Sequence, residues 1–394
     1  MKKFIAILMC LSVMLSAFAF SASAKTDKTL KFNADGSFKI LQISDMQDGP
    51  FLNKVVKEFV DAAMKNEQPD LVVLTGDNIA GYAMGSGKAK KIDTALAKQG
   101  INQYMSIFEK YGVPVAMVFG NHDDQNDSFS KETLLSFYEQ YDCFIGYDAV
   151  PEMYGCATYN LPVYASDDSG KIKYNLWMFD SNTYDDEYGG YDYVHQDQVD
   201  WYVNKSNELK EQNGGSVVPS MAFQHIIVKE IFDTLEPCTA DTPNSFPNNG
   251  TYYHFKPENY KTGFFKEYPC PPTRDGSQFN AMLRQGDVVA MFFGHDHNNS
   301  FEVNYKGIDL CATPGFTFQS YGNEDRGARV IILNENDTST YETHLVHWST
   351  YFSESKLAMA HYNMYASKNG WEAFLGGLTY ILLFPLKSIF GYIF

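Results

Sequence analysis

From about residue 38 the chain alternates short apolar runs with longer stretches of helical spacing. The runs Phe38–Ile43, Leu71–Leu74, Val113–Phe119, Lys173–Phe179 and Ser220–Gln224 predict strands, as do Val288–Phe293, Gly307–Ala312, Arg329–Leu333 and Thr343–Trp348. Several are unbroken apolar runs of the length expected for strands buried on both faces. Helices are predicted between the early strands. Val55, Val56, Phe59, Val60, Ala63 and Met64 make one apolar stripe, and Ile101, Tyr104, Met105, Ile107 and Phe108 make part of another. The later strands have fewer helices between them. The order predicts an α/β fold of mixed sheets packed together and covered by helices, with no internal repeat.

Three stretches break this rhythm. Residues 1–24 begin with Lys2 and Lys3, continue as an apolar run from Phe4 to Phe20, and end in Ala22-Ser23-Ala24. That is the pattern of a cleaved signal peptide, an uncleaved membrane anchor being the alternative. The chain is therefore expected to be exported, either secreted or attached to the outer face of the cell membrane. Residues 236–285 show no regular pattern and are rich in Pro, Asn, Tyr and Phe. A long irregular insertion of this kind is often functional. Within the tail 351–394, residues 371–394 are aromatic and apolar, with Pro385 and Lys387 inside. Their length is near that of a membrane span. A membrane-lying helix and a helix docked on the core fit equally, so membrane association through 371–394 stays open.

Composition narrows the function. Of 394 residues, 44% are hydrophobic and 20% charged, which is ordinary for a globular protein, and the span 25–350 suffices for one large catalytic domain. A formal net charge of −17 makes general nucleic-acid binding unfavourable, because the chain repels the phosphate backbone. A small phosphorylated substrate stays compatible, since bound cations reverse the potential locally. Beyond the leader, Cys143, Cys156, Cys238, Cys270 and Cys311 lack the close pairing of a structural zinc site. Export permits disulfides, with Cys143–Cys156 and Cys238–Cys270 as candidates and Cys311 expected to be free.

The chemistry lies where apolar runs stop. Ile40–Ser44 leads into Asp45-Met46-Gln47-Asp48, and Leu71–Thr75 into Gly76-Asp77-Asn78. Val115–Phe119 leads into Gly120-Asn121-His122-Asp123, Met221–Gln224 into His225, and Val288–Phe293 into Gly294-His295-Asp296-His297. Side chains at the carboxyl ends of strands converge on one edge of an α/β sheet. Carboxylate, amide and imidazole gathered there make a mixed donor set suited to borderline divalent ions. The glycines before Asp77, Asn121 and His295 permit sharp turns and close backbone approach. A lone Gly-Asp is usually a turn and a lone strand His usually structural; five such clusters in this order point to metal. His295 and His297, two apart, are expected on one face of a strand.

This order of clusters resembles the calcineurin-like metallophosphoesterase superfamily, over about residues 38–350. Lys39–Asp45, Thr75–Ile79 and Gly294–Asn298 look most like the branch related to purple acid phosphatase-like proteins. The resemblance implies a four-layer fold, two packed mixed β-sheets flanked by helices. It also implies a dinuclear phosphoesterase in which a metal-bridging hydroxide attacks phosphorus. Asp45, Asp77 and His297 would bind the first metal, and Asp77, Asn121, His225 and His295 the second, with Asp77 bridging. His122 would act on substrate as general acid or charge stabiliser, alongside Asn121 as a phosphate contact. The family's first cluster reads Asp-x-His, where this chain has Gln47. An amide oxygen at that place favours Mn or Mg over Zn or Fe, and Mn is the expected ion; the alternative is a weakened first site, or Asp48 in its stead.

Other residues read two ways. Arg326, in a Gly-rich loop with Tyr321 and Asn323, would hold a substrate phosphate bidentately or serve an ion pair. Asp180, Ser181 and Asn182 line the site or form a turn. His254, among Tyr252, Tyr253 and Phe255, walls a pocket or packs on the core. His195, His344 and His347 match no motif. The substrate is expected to be a phosphorylated small molecule or protein. A phosphatase, a phosphodiesterase or nucleotide hydrolase, and a surface binding protein that has lost catalysis through Gln47 share these residues.

Overall fold

The computed structural model describes residues 29–83, 90–318, 320–352, 359–360, 362–364 and 370–390; all other residues, among them the expected signal peptide 1–24, lie outside that description. All nine expected strands are present within about two residues of their bounds, except the last, which already starts at Asp337. They belong to two mixed sheets. The first has five strands, in the order Asp337–His347, Gly327–Asn334, Ser37–Ile43, Leu71–Thr75, Val115–Val118. The last three are parallel, and Gly327–Asn334 and Asp337–His347 are added antiparallel. The second has eight strands, with Ile172–Met178, Ser220–Phe223, Val288–Phe293 and Ile308–Ala312 as its parallel centre.

The apolar runs are explained by burial on both faces. Along the second sheet, Leu176, Met178, Met221, Phe223, Ala290 and Phe292 face the core shared with the first sheet. Their neighbours Trp177, Phe179, Ala222, Met291 and Phe293 face an outer core, closed by the helices Gln196–Gln212 and Gln278–Gln285 through Tyr202, Leu209, Phe279 and Met282. Period-two alternation thus feeds two cores, and no polar face breaks the run. On the first sheet, the helix Lys54–Glu67 buries the expected stripe from Val55 to Met64. Its N-cap Asn53 accepts from the Val55 N–H at 2.9 Å. The helix Thr94–Tyr111 is capped by Asp93 and ends at Gly112, whose φ of 64° suits a residue without Cβ.

Several expectations need correction. The insertion 236–285 carries regular structure. Leu235–Cys238, Thr251–Phe255 and Phe246–Asn248 form a small antiparallel sheet, Tyr260–Thr262 joins the edge of the second sheet, and Gln278–Gln285 is helical. These strands are short, and they are anchored from outside, by Phe255 and Phe265 packing on Phe301. Cys156, Cys238, Cys270 and Cys311 are free thiols, so neither expected disulfide is formed. Gly370–Phe390 is helical, with Trp371, Phe374, Leu375, Leu378, Ile381 and Leu382 exposed. No described helix is long and apolar enough to cross a membrane.

Candidate metal centre

The parallel strands of both sheets end at one edge, and their following loops face each other. Gln42, fully buried, joins the sheets just beneath. Its amide donates to Thr75 Oγ1 at 3.0 Å and the Phe293 carbonyl at 3.3 Å, and it accepts from Thr313 Oγ1 at 2.8 Å. Above it the backbone is strained. Asp45, Gln47, Asp77 and His295 have φ values of 54°, 32°, 49° and 71°, a region costing about 1–3 kcal/mol for a residue with Cβ. Hydrogen bonds within the site hold it: Asp45 N to the Gly76 carbonyl, Gln47 N to the Asp77 carbonyl, and His295 N to Asp45 Oδ2. His295 and His297 therefore sit in the turn after Phe293, not on one strand face as expected. The glycines supply room. A Cβ on Gly120 would overlap Asp77, one on Gly76 the His225 ring, and one on Gly294 Ser44 and Asp45.

The donor atoms are left in a telling state. His225 Nδ1 lies 2.9 Å from the Thr75 carbonyl, which can only accept, so Nδ1 carries a proton and Nε2 is the nitrogen left to bind metal. Nε2 faces Asp77 Oδ2, 3.2 Å away, with Asp45 Oδ1 at 3.9 Å. His297 repeats the arrangement. Its Nδ1 donates to the Tyr321 carbonyl at 2.8 Å, and its Nε2 faces Asp45 Oδ1 at 3.1 Å. Asn121 turns its amide nitrogen to the Tyr184 hydroxyl at 3.1 Å, leaving its oxygen inward. Asp45 Oδ1, Asn121 Oδ1 and His225 Nε2 are buried without a hydrogen-bond partner. Buried carboxylates and ring nitrogens this close call for positive charge between them, from a metal ion or from the imidazoles' own protons. Asp45, Asp77 and His297 bring one ligand atom each to within 4.8 Å of one another. The residues fit divalent metal.

The electrostatics agree. Burial disfavours a charged His225, but the Asp77 and Asp45 carboxylates outweigh it and push its pKa up to about 10. Burial also opposes ionisation of Asp45, and His297 and His225 hold it below the usual range nonetheless. His295 goes the other way: burial and the neighbouring His225 push it down to about 3, keeping it the neutral imidazole that ligation needs. Without metal, protons fill the role of the cation.

The remaining expected residues divide. His122 donates its backbone N–H to Asp77 Oδ1 at 2.7 Å. Its half-exposed ring places Nε2 3.9 Å from Asp77 Oδ2, while Nδ1 is held by Gln125 Oε1 at 2.7 Å. Gln47 donates its amide nitrogen to Asp77 Oδ2 at 2.9 Å, so it orients that carboxylate through nitrogen, where an oxygen ligand was expected. Asp48 is occupied by Thr317 Oγ1 and the Asn53 N–H. Arg326 is not a phosphate contact. It is buried, and its guanidinium donates to the carbonyls of Thr317, Asn323 and Ser320, which fastens the loop. Ser181 accepts from the Ile226 N–H just after His225, and Asp180 takes Lys131 and the Cys156 N–H. His254 pairs with Glu236, and His195, His344 and His347 bind Asp192, Glu67 and the Asp325 carbonyl.

Several supporting residues were given no role from the sequence. Asp123 accepts from the Asn78, Ile79 and Gly120 N–H groups, tying the second cluster to the third. Burial and the Asp77 charge push its pKa up to about 8. Ser44 donates to Asp45 Oδ2 at 2.6 Å. Tyr321 stacks on His297 at 4.1 Å. Such groups fix ligand orientation and tautomer; Ser44 and Asp123 sit beside the ligand clusters, while Tyr321 comes from a separate loop, where no spacing rule reaches.

Comparison with known proteins places this geometry. The sequence profile of the calcineurin-like phosphoesterase family matches residues 38–299. An Arabidopsis thaliana protein named "Probable inactive purple acid phosphatase 14" is 27% identical over 83% of this chain and 81% of its own length. "Phosphatase DCR2" of Saccharomyces cerevisiae is 26% identical over 78% of this chain, which spans about half (54%) of that protein. A dimetal phosphatase from Danio rerio, solved by crystallography, aligns with 78% of this chain and 98% of its own, at 13% identity and a TM-score of 0.46.

Proposed function

The chain belongs to the calcineurin-like phosphoesterase family, and we propose that it is an active hydrolase of phosphate esters that works with two divalent cations at this centre. One observation carries the reading: His225 Nε2 and His297 Nε2, each with its other nitrogen committed to a carbonyl, face the carboxylates of Asp77 and Asp45. Asp45, Asp77 and His297 would hold one cation, and Asp77, Asn121, His225 and His295 the other. When bound, the pair supplies Lewis acidity and an acidified water.

The chain's own residues do the rest. Asp77 keeps its position through the His122 N–H and the Gln47 amide. His122 has Nδ1 fixed by Gln125, so Nε2 is aimed into the site, where the imidazolium form would protonate the leaving oxygen or offset charge on the phosphoryl group. With its amide turned, Gln47 would offer a neutral, hard oxygen to the first cation, which favours Mn. The leader of residues 1–24 supports export as the setting.

The word "inactive" in the plant relatives' names belongs to those proteins. The test here is a panel of p-nitrophenyl phosphate, its bis-ester, nucleotides and a phosphoprotein, assayed on protein loaded with Mn, Mg, Zn or Fe. We expect turnover that appears with Mn and disappears with chelator. No turnover on any member, with metal bound and the fold intact, would leave a binding protein.

A further inference from the structure

The segment after Asn182 forms a hairpin with aromatic side chains against the metal centre. Tyr184 and Tyr191 are paired across it in an antiparallel bridge, with rings stacked at 5.5 Å. Each touches a different metal-ligand candidate. The Tyr184 hydroxyl accepts from Asn121 Nδ2 at 3.1 Å, and the Tyr191 ring meets the His295 imidazole edge to face at 4.3 Å. Tyr191 covers one face of Tyr184, yet Tyr184 keeps 42% of its surface in solvent. An exposed aromatic ring thus stands beside the side-chain amide whose oxygen points into the centre.

The hairpin is rigidly held. Gly189 and Gly190 turn it at φ values of 72° and 74°, and Asp185 and Gly190 close it through backbone hydrogen bonds. Thr273 fastens it from outside, donating its hydroxyl to the Gly189 carbonyl at 2.7 Å and its N–H to the Tyr191 carbonyl at 3.0 Å. A Cβ on Gly190 would collide with that same Thr273 hydroxyl. Arg274 pairs with Asp185 at 2.5 Å. A solvent-exposed ring held this firmly, with its hydroxyl committed to a ligand residue, is a ready surface for stacking, because little side-chain freedom remains to be lost on binding.

We infer that Tyr184, backed by Tyr191, is the leaving-group platform of this site, and that the preferred substrates are phosphate esters of planar aromatic alcohols. This rests on the phosphoesterase reading. A phosphoryl group at Asn121 would set its ester oxygen on the hairpin side, where a flat leaving group can stack on the open face of Tyr184.

The experiment compares wild type, Tyr184→Phe and Tyr184→Ala, each loaded with Mn, by calorimetric binding of two non-hydrolysable probes, 1-naphthylmethylphosphonate and propylphosphonate. Both variants lose the hydroxyl that Asn121 uses, so the Phe-to-Ala step isolates the ring. Across that step we expect the Kd of the naphthyl probe to rise about three- to ten-fold, while that of the propyl probe changes less than about two-fold on the same scale. Tyr184→Leu, which keeps apolar bulk without a π face, should behave as Ala does and serves if Ala alters the fold. Equal shifts of both probes, or no shift of either, would overturn the platform. The probes need no turnover. Ring-dependent binding without hydrolysis would remove only the proposed activity, and hydrolysis with equal shifts would remove only the platform.

Discussion

Two buried polar clusters join the two sheets of this molecule, and they differ in one respect. In the first, Arg329 reaches from the five-stranded sheet to the eight-stranded one. Its guanidinium donates to Glu302 at 2.6 Å, to Thr343 and Thr313 hydroxyls, and to the carbonyls of Ala312 and Ser300. Every nitrogen is satisfied and the charge is paired. In the second, at the loop edge, Asp45, Asp77, His225 and His297 are equally buried, but Asp45 Oδ1, His225 Nε2 and the nearby Asn121 Oδ1 are left without a hydrogen-bond partner. The first cluster is complete as it stands. The second is complete only with cations. Burial of charge alone therefore does not mark a functional site; burial with open acceptors does.

The contrast is broken most severely at the bridging carboxylate. Asp77→Asn should reduce turnover to background and lower occupancy of both metal sites while the chain stays folded, since the substitution removes charge and preserves shape. Near-normal rates with a native circular dichroism spectrum would show the ligand assignment to be wrong. His122→Ala comes next. It should cost about 10²- to 10⁴-fold in kcat with the metals still bound, and less with p-nitrophenolate as leaving group than with a poor one if the ring donates a proton. Equal losses for both would assign it to charge stabilisation.

The complete cluster should answer differently. Arg329→Ala strands Glu302 in the interior and should cost about 3–5 kcal/mol of stability, read by urea unfolding, while the metal content of the folded fraction stays unchanged. Metal loss from folded protein would erase the distinction between the clusters. The smallest effect belongs to Gln47, which now orients Asp77. Gln47→Ala should weaken metal binding about 10- to 100-fold, and Gln47→His should retain Zn or Fe through dialysis and depend less on added Mn. Coincident activity curves against free metal for all three proteins would show that Gln47 neither ligates nor positions.

The metal edge was legible because each cluster follows an apolar run, and strand ends in parallel sheets converge by geometry. The main strands were legible for the same reason: Leu71–Thr75 and Val288–Phe293 are buried throughout or nearly so. Helices were readable where a stripe was strong, as from Val55 to Met64. The helix Gln196–Gln212 was not, because its buried face mixes Gln198 and Ser206 with Val199, Tyr202 and Leu209. The insertion escaped because Pro247 and strands of three to five residues hide the alternation. Arg326 stayed open between a phosphate contact and an ion pair because a loop arginine looks the same in sequence whether it faces substrate or its own carbonyls. Tyr184 and Tyr321 were invisible as site residues, since their partners Asn121 and His297 lie in separate loops.

The central claim is that the open acceptors at the loop edge are metal ligands, and counting metal tests it most directly. Protein reconstituted with Mn, freed of excess and analysed for bound metal should hold close to two equivalents per chain. Less than half an equivalent on protein whose fold is intact would contradict the account.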